Sequence, residues 1–330
     1  PSVAGLSFNF FLAKSFPKLD IVWMSMKNDI HNLAIQCIAA PLNERAAIAK
    51  QAGALLEHAP AYSTYSAFKR LFHLSYFASV NSSSKIIKGA DKEVDTLILY
   101  LAASNNAGVE LCKSATKECR MLCLVCSGRA KMESKRDHSK RRIAIARVIK
   151  SWIMHYRSDI ARAVLAHEIV SKQASALRKG RSFACRLNGT SDIDHSQTIA
   201  AFKDVSFYDY TKNNLPDALP ANYSITYSFA NLSPARVRQY RKAVAMGLNI
   251  AVPVHADAFK RATSLPYAFD ADRDDLRHLD KESGQLAILK IKKSPNYESD
   301  KQSDFVLGFE GVRELARLIG LGNLQGKLAA

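Results

Sequence analysis

A chain of 330 residues with 48% hydrophobic content is long enough to bury a full core and too apolar to be disordered. The roughly 18 to 20 uninterrupted apolar residues that cross a bilayer are absent, because Lys14, Lys18 and Asp20 punctuate the most apolar stretch near the start. The net charge of +17 is unevenly placed: between Lys113 and Arg186 there are 19 Lys and Arg against 5 Asp and Glu, which directs attention to that part for any polyanionic partner.

The segment Met24-Ser-Met-Lys-Asn-Asp-Ile reads as an initiator segment, so residues 1–23 are expected to lie outside the native product; their apolar patch, Phe8 to Ala13, alternatively reads as a membrane-surface or signal-like piece. From Asp29 to Val80 the periodicity is helical, with Asn43 as the expected cap of a helix over Glu44 to His58 and an aromatic stripe from Tyr62 to Phe77. Asn81-Ser-Ser-Ser84 is expected to separate this N-terminal helical extension, 1–83, from a second domain over 84–330.

Thr96 to Ala102 is a continuous apolar run that suits a strand covered on both faces. A basic segment and one long helix, from Ile145 to Gly180, come later, and the histidines His155 and His167 on it read as packing residues. Further strand-like runs follow: Phe183–Leu187, Val205–Asp209, Tyr223–Phe229, Asn249–Val254, Tyr267–Ala271, Leu286–Ile291 and Phe305–Leu307. Between two of them a helix is marked by Ser233, Pro234 and a closing Gly247. Eight strands alternating with helices predict an α/β fold, a (β/α) barrel that is irregular or partial because the connections after residue 254 are short.

Directly after the first strand come four of the chain's six cysteines, Cys112, Cys119, Cys123 and Cys126. The spacing Cys119-x3-Cys123-x2-Cys126 lets three thiolates hold one corner of an iron-sulfur cube and leave the fourth iron open, as in radical S-adenosylmethionine enzymes, which this loop resembles. Zinc held by four sulfurs and plain buried thiols with no metal stay open as alternatives, while disulfides fit least. In a barrel this loop sits at the carboxyl ends of the strands, where polar residues following other strands would join it: Asn188, Gly189, Asp192, Asp194, Asp209 and Lys212 are the candidate ligand-binding set. Each has a bland reading beside it, Asn188-Gly189 as a turn and Asp209 with Lys212 as an ion pair. The run Asp270, Asp272, Asp274, Asp275 reads either as a divalent-cation site or as turn caps. The segment 131–150 offers either a nucleic-acid surface or a solvated helix face. Walker, dinucleotide and nucleophile-elbow motifs are absent.

The residues Leu99-Tyr-Leu-Ala, Cys112, Cys119-x3-Cys123-Leu, Ser127-Gly-Arg, Arg186-Leu-Asn-Gly-Thr-Ser-Asp-Ile-Asp194, Phe207-Tyr-Asp-Tyr-Thr-Lys212 and Asn222-Tyr, in this order, resemble a family of bacteriophage proteins known as gene product eighty-eight-like. The likeness runs from about Ser84 to Lys292. It implies a phage protein of the host cytoplasm, in an infected or lysogenic cell, and it implies that Cys112, Cys119 and Cys123 are the shared cysteines, since the family usually has a small residue where Cys126 stands. Ala130 likewise stands where the family commonly has glycine. Two functions from different classes follow: an iron-sulfur or other metal-binding enzyme acting on an unknown small molecule, or a zinc-stabilised nucleic-acid-binding protein without catalysis.

Overall fold

The computed structural model describes residues 17–59, 65–123, 138–292 and 304–321. Among these, eight strands form one sheet: β1 (Ser79–Val80), β2 (Val94–Ile98), β3 (Ser182–Arg186), β4 (Ser206–Thr211), β5 (Tyr223–Ser228), β6 (Ile250–Val254), β7 (Ala268–Asp270) and β8 (Leu286–Lys290). Their order is β1-β2-β3-β4-β5-β6-β8-β7, and every neighbouring pair is parallel except β1 with β2. From β2 to β6 each strand lies beside its predecessor, the winding of a barrel rather than of a doubly wound sheet. The sheet does not close, so the barrel is irregular. Instead, the chain following β1 is tied to the chain following β7 by two ion pairs, Lys85 Nζ to Asp272 at 2.5 Å and Lys92 Nζ to Asp274 at 2.8 Å.

Seven of the eight expected strands form. The eighth, Phe305–Leu307, is reduced to a single bridge between Leu307 and Val254, while the two-residue β1 was too short to stand out as a pattern. All five residues of β2 are buried, as a strand covered on both faces requires.

The helices are α1 (Pro17–Ala39), α2 (Arg45–Glu57), α3 (Tyr65–Phe72), α4 (Ser84–Lys88), α5 (Lys117–Met121), α6 (His138–Tyr156), α7 (Ser158–Leu177), α8 (Ser196–Ala201), α9 (Pro234–Ala245), α10 (Phe259–Ala262) and α11 (Phe309–Leu318). One face of the sheet, with Leu97, Phe183, Cys185 and Phe207, shares a core with Ile30 of α1, Leu56 of α2, Phe68 of α3, Trp152 of α6 and Leu165 of α7. The N-terminal helices therefore share that core, with α1 and α2 packed on α6 and α7 packed on β3. The second half of that face, with Ile225, Tyr227 and Val252, packs against Val237 and Tyr240 of α9 and Val312 and Leu315 of α11. On the opposite face Val94, Ile98, Ala184 and Tyr208 meet Ile86 and Leu276, so the chain fills its own barrel.

The long helix predicted up to Gly180 is two. Arg157, with φ −134° and ψ 58°, leaves the helical region between α6 and α7, and its guanidinium donates to the carbonyls of Leu56, at 3.1 Å, and Ala59 at the end of α2. A break of one residue hardly disturbs the 3.6 period, so periodicity alone could not see it. In α2 the cap position falls to Glu44, which makes no side-chain bond there, rather than to Asn43. The marks on α9 hold: Ser233 is the cap position, Pro234 comes first, and Gly247 with φ +73° ends the helix in the left-handed region.

Candidate functional site

The cysteine loop leaves the carboxyl end of β2 and lies over the carboxyl end of β3. Backbone amides set this placement: Gly189 N donates to Leu99 O at 3.1 Å and Asp192 N to Leu111 O at 2.8 Å, while Thr190 Oγ1 donates to Leu101 O at 2.6 Å. Gly189 is required for it, since a Cβ there would stand 2.7 Å from Leu99 O and 2.9 Å from both Ile98 Cγ2 and Tyr100 Cδ1.

Within the loop, Glu110 organises the chain around Cys112. One of its oxygens accepts from Cys112 N at 2.7 Å and the other from Arg120 Nη1 at 2.9 Å; Arg120 also reaches Cys112 O at 3.4 Å and Ser104 Oγ. Thr116 caps α5 by accepting from Cys119 N at 3.2 Å. From the far side Arg236 of α9 donates to Ser114 O at 2.9 Å and to Lys212 O at 2.6 Å, pinning the loop to the end of β4. Glu110, Arg120 and Arg236 carry no sequence signature, Arg236 lying 122 residues from the carbonyl it holds.

Cys112, Cys119 and Cys123 are half-buried, and Cys112 and Cys119 are free thiols. Burial pushes the Cys112 thiol up to about 12, and Cys123, Asp192 and Cys119 add to that shift, so all three lie within electrostatic reach of its sulfur. Cys112 Sγ also sits 4.0 Å from Thr190 O. Cys126 falls outside the described residues. Among the described residues no three His, Cys, Asp or Glu side chains are grouped closely enough to hold a metal ion.

The other expected site residues divide. Asp192 is with the cysteines, accepting from Thr211 Oγ1 at 2.7 Å, Lys212 N at 2.8 Å and Asn213 Nδ2 at 3.0 Å; burial raises its pKa against the pull of those donors. Asn188 turns the chain after β3, its side chain bonded to Ser191 Oγ at 2.9 Å and to both backbone groups of Ile193 at 3.0 Å. Asp209 is buried inside the sheet, where it accepts from Asn188 N at 2.7 Å and from the Tyr223 hydroxyl at 3.4 Å. Asp194 is exposed and holds the start of α8 through Ser196 N at 2.8 Å. Lys212 contributes its backbone to Asp192 and Arg236, and its ammonium lies 5.4 Å from the Phe305 ring rather than on Asp209.

The aspartate run after β7 is matched to the chain's own cations: Asp272 to Lys85 and Lys292, Asp274 to Lys92 and Arg277, and Asp275 to Arg186, with Tyr210 donating to Asp275 at 2.9 Å. Asp270 accepts from Asp272 N at 2.8 Å as an ordinary turn. Of the basic segment, residues 131–137 lie outside the described residues, and its last turn enters the core with Val148, Ile149 and Lys150 buried. No helix among the described residues is long and apolar enough to cross a membrane.

A family model described as gene product 88 matches residues 78–306. That span opens beside β1 and takes in all eight strands, the cysteine loop and every residue of the candidate ligand-binding set. No curated protein and no solved structure matches the chain.

Proposed function

The chain belongs to the gene product 88 family, and we propose that it carries a thiolate-bound metal centre in its cysteine loop, of the iron-sulfur kind that the spacing Cys119-x3-Cys123-x2-Cys126 fits. The observation that supports this reading is convergence. Cys119, Cys123 and Asp192 all lie within electrostatic reach of the Cys112 thiol, over the carboxyl ends of parallel strands, where α/β folds build their sites. The brace of Glu110, Arg120 and Arg236 gives that loop a defined shape. Thiols grouped by chance in a core would need no such brace.

Cys119 and Cys123 are the first ligands, with Cys112 or Cys126 as the third. An iron-sulfur cube held by three cysteines keeps one iron open to a small ligand, and S-adenosylmethionine is the ligand this spacing would take. Asp192 would face such a ligand at the end of β4, and a set with zinc instead would stabilise the loop without chemistry. Because metal binding must displace the thiol proton, and burial holds the Cys112 proton tightly, affinity is expected to rise with pH if Cys112 is a ligand.

Anaerobic purification with iron and sulfide supplied tests the reading. A brown protein absorbing at about 400 nm is expected, with the colour lost in the double variant Cys119→Ser, Cys123→Ser. A colourless protein with stoichiometric zinc would replace the cluster with a structural site. Iron and zinc contents no higher than in the double variant would overturn the proposal.

A further inference from the structure

Lys150 stands apart from the other lysines. It lies on α6 with only 5% of its surface exposed, and among the described residues no carboxylate comes within salt-bridge distance of its amine. Its Nζ sits 4.8 Å from the centre of the Tyr76 ring, and Tyr76 is itself 47% exposed, so the amine lies under an aromatic at the surface. One turn earlier on the same helix comes Arg147, whose guanidinium covers Tyr100, two residues past the end of β2. The next residue, Ser151, accepts from Ala102 N at 2.9 Å, which fixes this turn of α6 against the chain leading into the cysteine loop.

Among the described residues, the acidic group that acts on Lys150 is already committed. Glu168 of α7 accepts from Phe77 N and Ala78 N, each at 2.7 Å, and from the Tyr65 hydroxyl. Burial pushes the Lys150 amine down to about 8; Glu168 opposes this and Arg147 reinforces it. Desolvation together with a neighbouring cation is the arrangement that activates a lysine as a nucleophile.

We propose that Lys150 is an activated amine that condenses with the carbonyl group of small aldehydes or ketones, at a site bounded by Tyr76, Arg147 and Tyr100. In that step the nitrogen lone pair of the neutral amine adds to the carbonyl carbon, the carbonyl oxygen takes one amine proton and one proton from solvent and leaves as water, and a protonated imine remains on Lys150. This assignment does not depend on the metal reading, since none of these residues belongs to the cysteine loop.

Formaldehyde with cyanoborohydride, which delivers hydride to the imine carbon and leaves a methylated amine, is the probe. The full chain is treated with a limiting amount at about pH 7.5 and each lysine is followed by peptide mass spectrometry. At this pH an amine with a pKa of about 8 has a free fraction on the order of a hundredfold above that of a lysine in a model peptide; even with hindered access, Lys150 should react at least about tenfold faster than Lys179, whose side chain is 62% exposed. Arg147→Gln, checked for an unchanged circular dichroism spectrum, should slow Lys150 severalfold and leave Lys179 as it was. If Lys150 reacts no faster than Lys179, or Lys150 is indifferent to the loss of Arg147, the proposal is wrong.

Discussion

Replacing Asp209 by Asn tests how the sheet holds a carboxyl group next to the candidate site. Asp209 is 1% exposed, and burial pushes its pKa up to about 7, with Asn188 N and Arg186 pulling down and Asp192 pushing up. In the unfolded chain the same group titrates at about 3.9. Between these values the native state keeps a proton that the unfolded state has lost, so this residue's contribution to stability falls as pH rises from about 4 to about 7 and stays low above that. Three pH units at 1.36 kcal/mol each set a ceiling of about 4 kcal/mol. Asparagine keeps an acceptor for Asn188 N, 2.7 Å away, and cannot ionise. Allowing about 1 kcal/mol for a less well matched amide, Asp209→Asn should be more stable than the parent by about 1–3 kcal/mol at pH 8, and equal or slightly weaker at about pH 5. Urea unfolding at both pH values, with unchanged m, measures this. A variant destabilised equally at the two pH values would refute the reasoning, because Asp209 would then act as an ordinary ionised hydrogen-bond acceptor.

Two further substitutions probe the surroundings. Glu168→Ala leaves Phe77 N, Ala78 N and the Tyr65 hydroxyl without their buried acceptor, so a loss of about 3–5 kcal/mol in urea unfolding is expected, and a loss under about 1 kcal/mol would mean that water takes over these donors. Arg236→Met removes the donors that tie Ser114 O and Lys212 O together, and the cysteines should then react with a disulfide reagent severalfold faster; unchanged thiol kinetics would show that Glu110 and Arg120 hold the loop unaided.

The strands were legible because burial on both faces writes long apolar runs. Ile250–Val254 and Leu286–Lys290 show this, whereas the run read from Thr96 to Ala102 shares only Thr96–Ile98 with the strand, which starts earlier at Val94 and takes in the polar Asp95. The features that escaped are those whose cause lies elsewhere in the chain. Arg157 ends α6 because the carbonyls of Leu56 and Ala59 are there to receive it, and β1 exists because Ser79 and Val80 lie against Ile98 and Leu97. The apolar faces of the N-terminal helices are periodic on their own, and that periodicity does not say what they meet, which is a core shared with the sheet.

At the site, residue type was legible and residue role was not. Asn188, Asp192, Asp194, Asp209 and Lys212 all follow or close a strand, and the sequence could say no more than that. Their parts were decided by what each carboxylate or amide could reach: Asp194 a helix start, Asp209 the amide of Asn188, and Asp192 the end of β4 beneath the cysteine loop. The loop also sets Cys112 near Asp192, and both groups favour their neutral forms. Burial raises Cys112, Asp192 and Asp209 alike, while Arg236 is spent on the Ser114 carbonyl, Arg120 on Glu110 and Arg186 on Asp275. Such surroundings resist gaining negative charge unless a positive charge arrives with it, which is the electrostatic condition that a bound metal cation would meet.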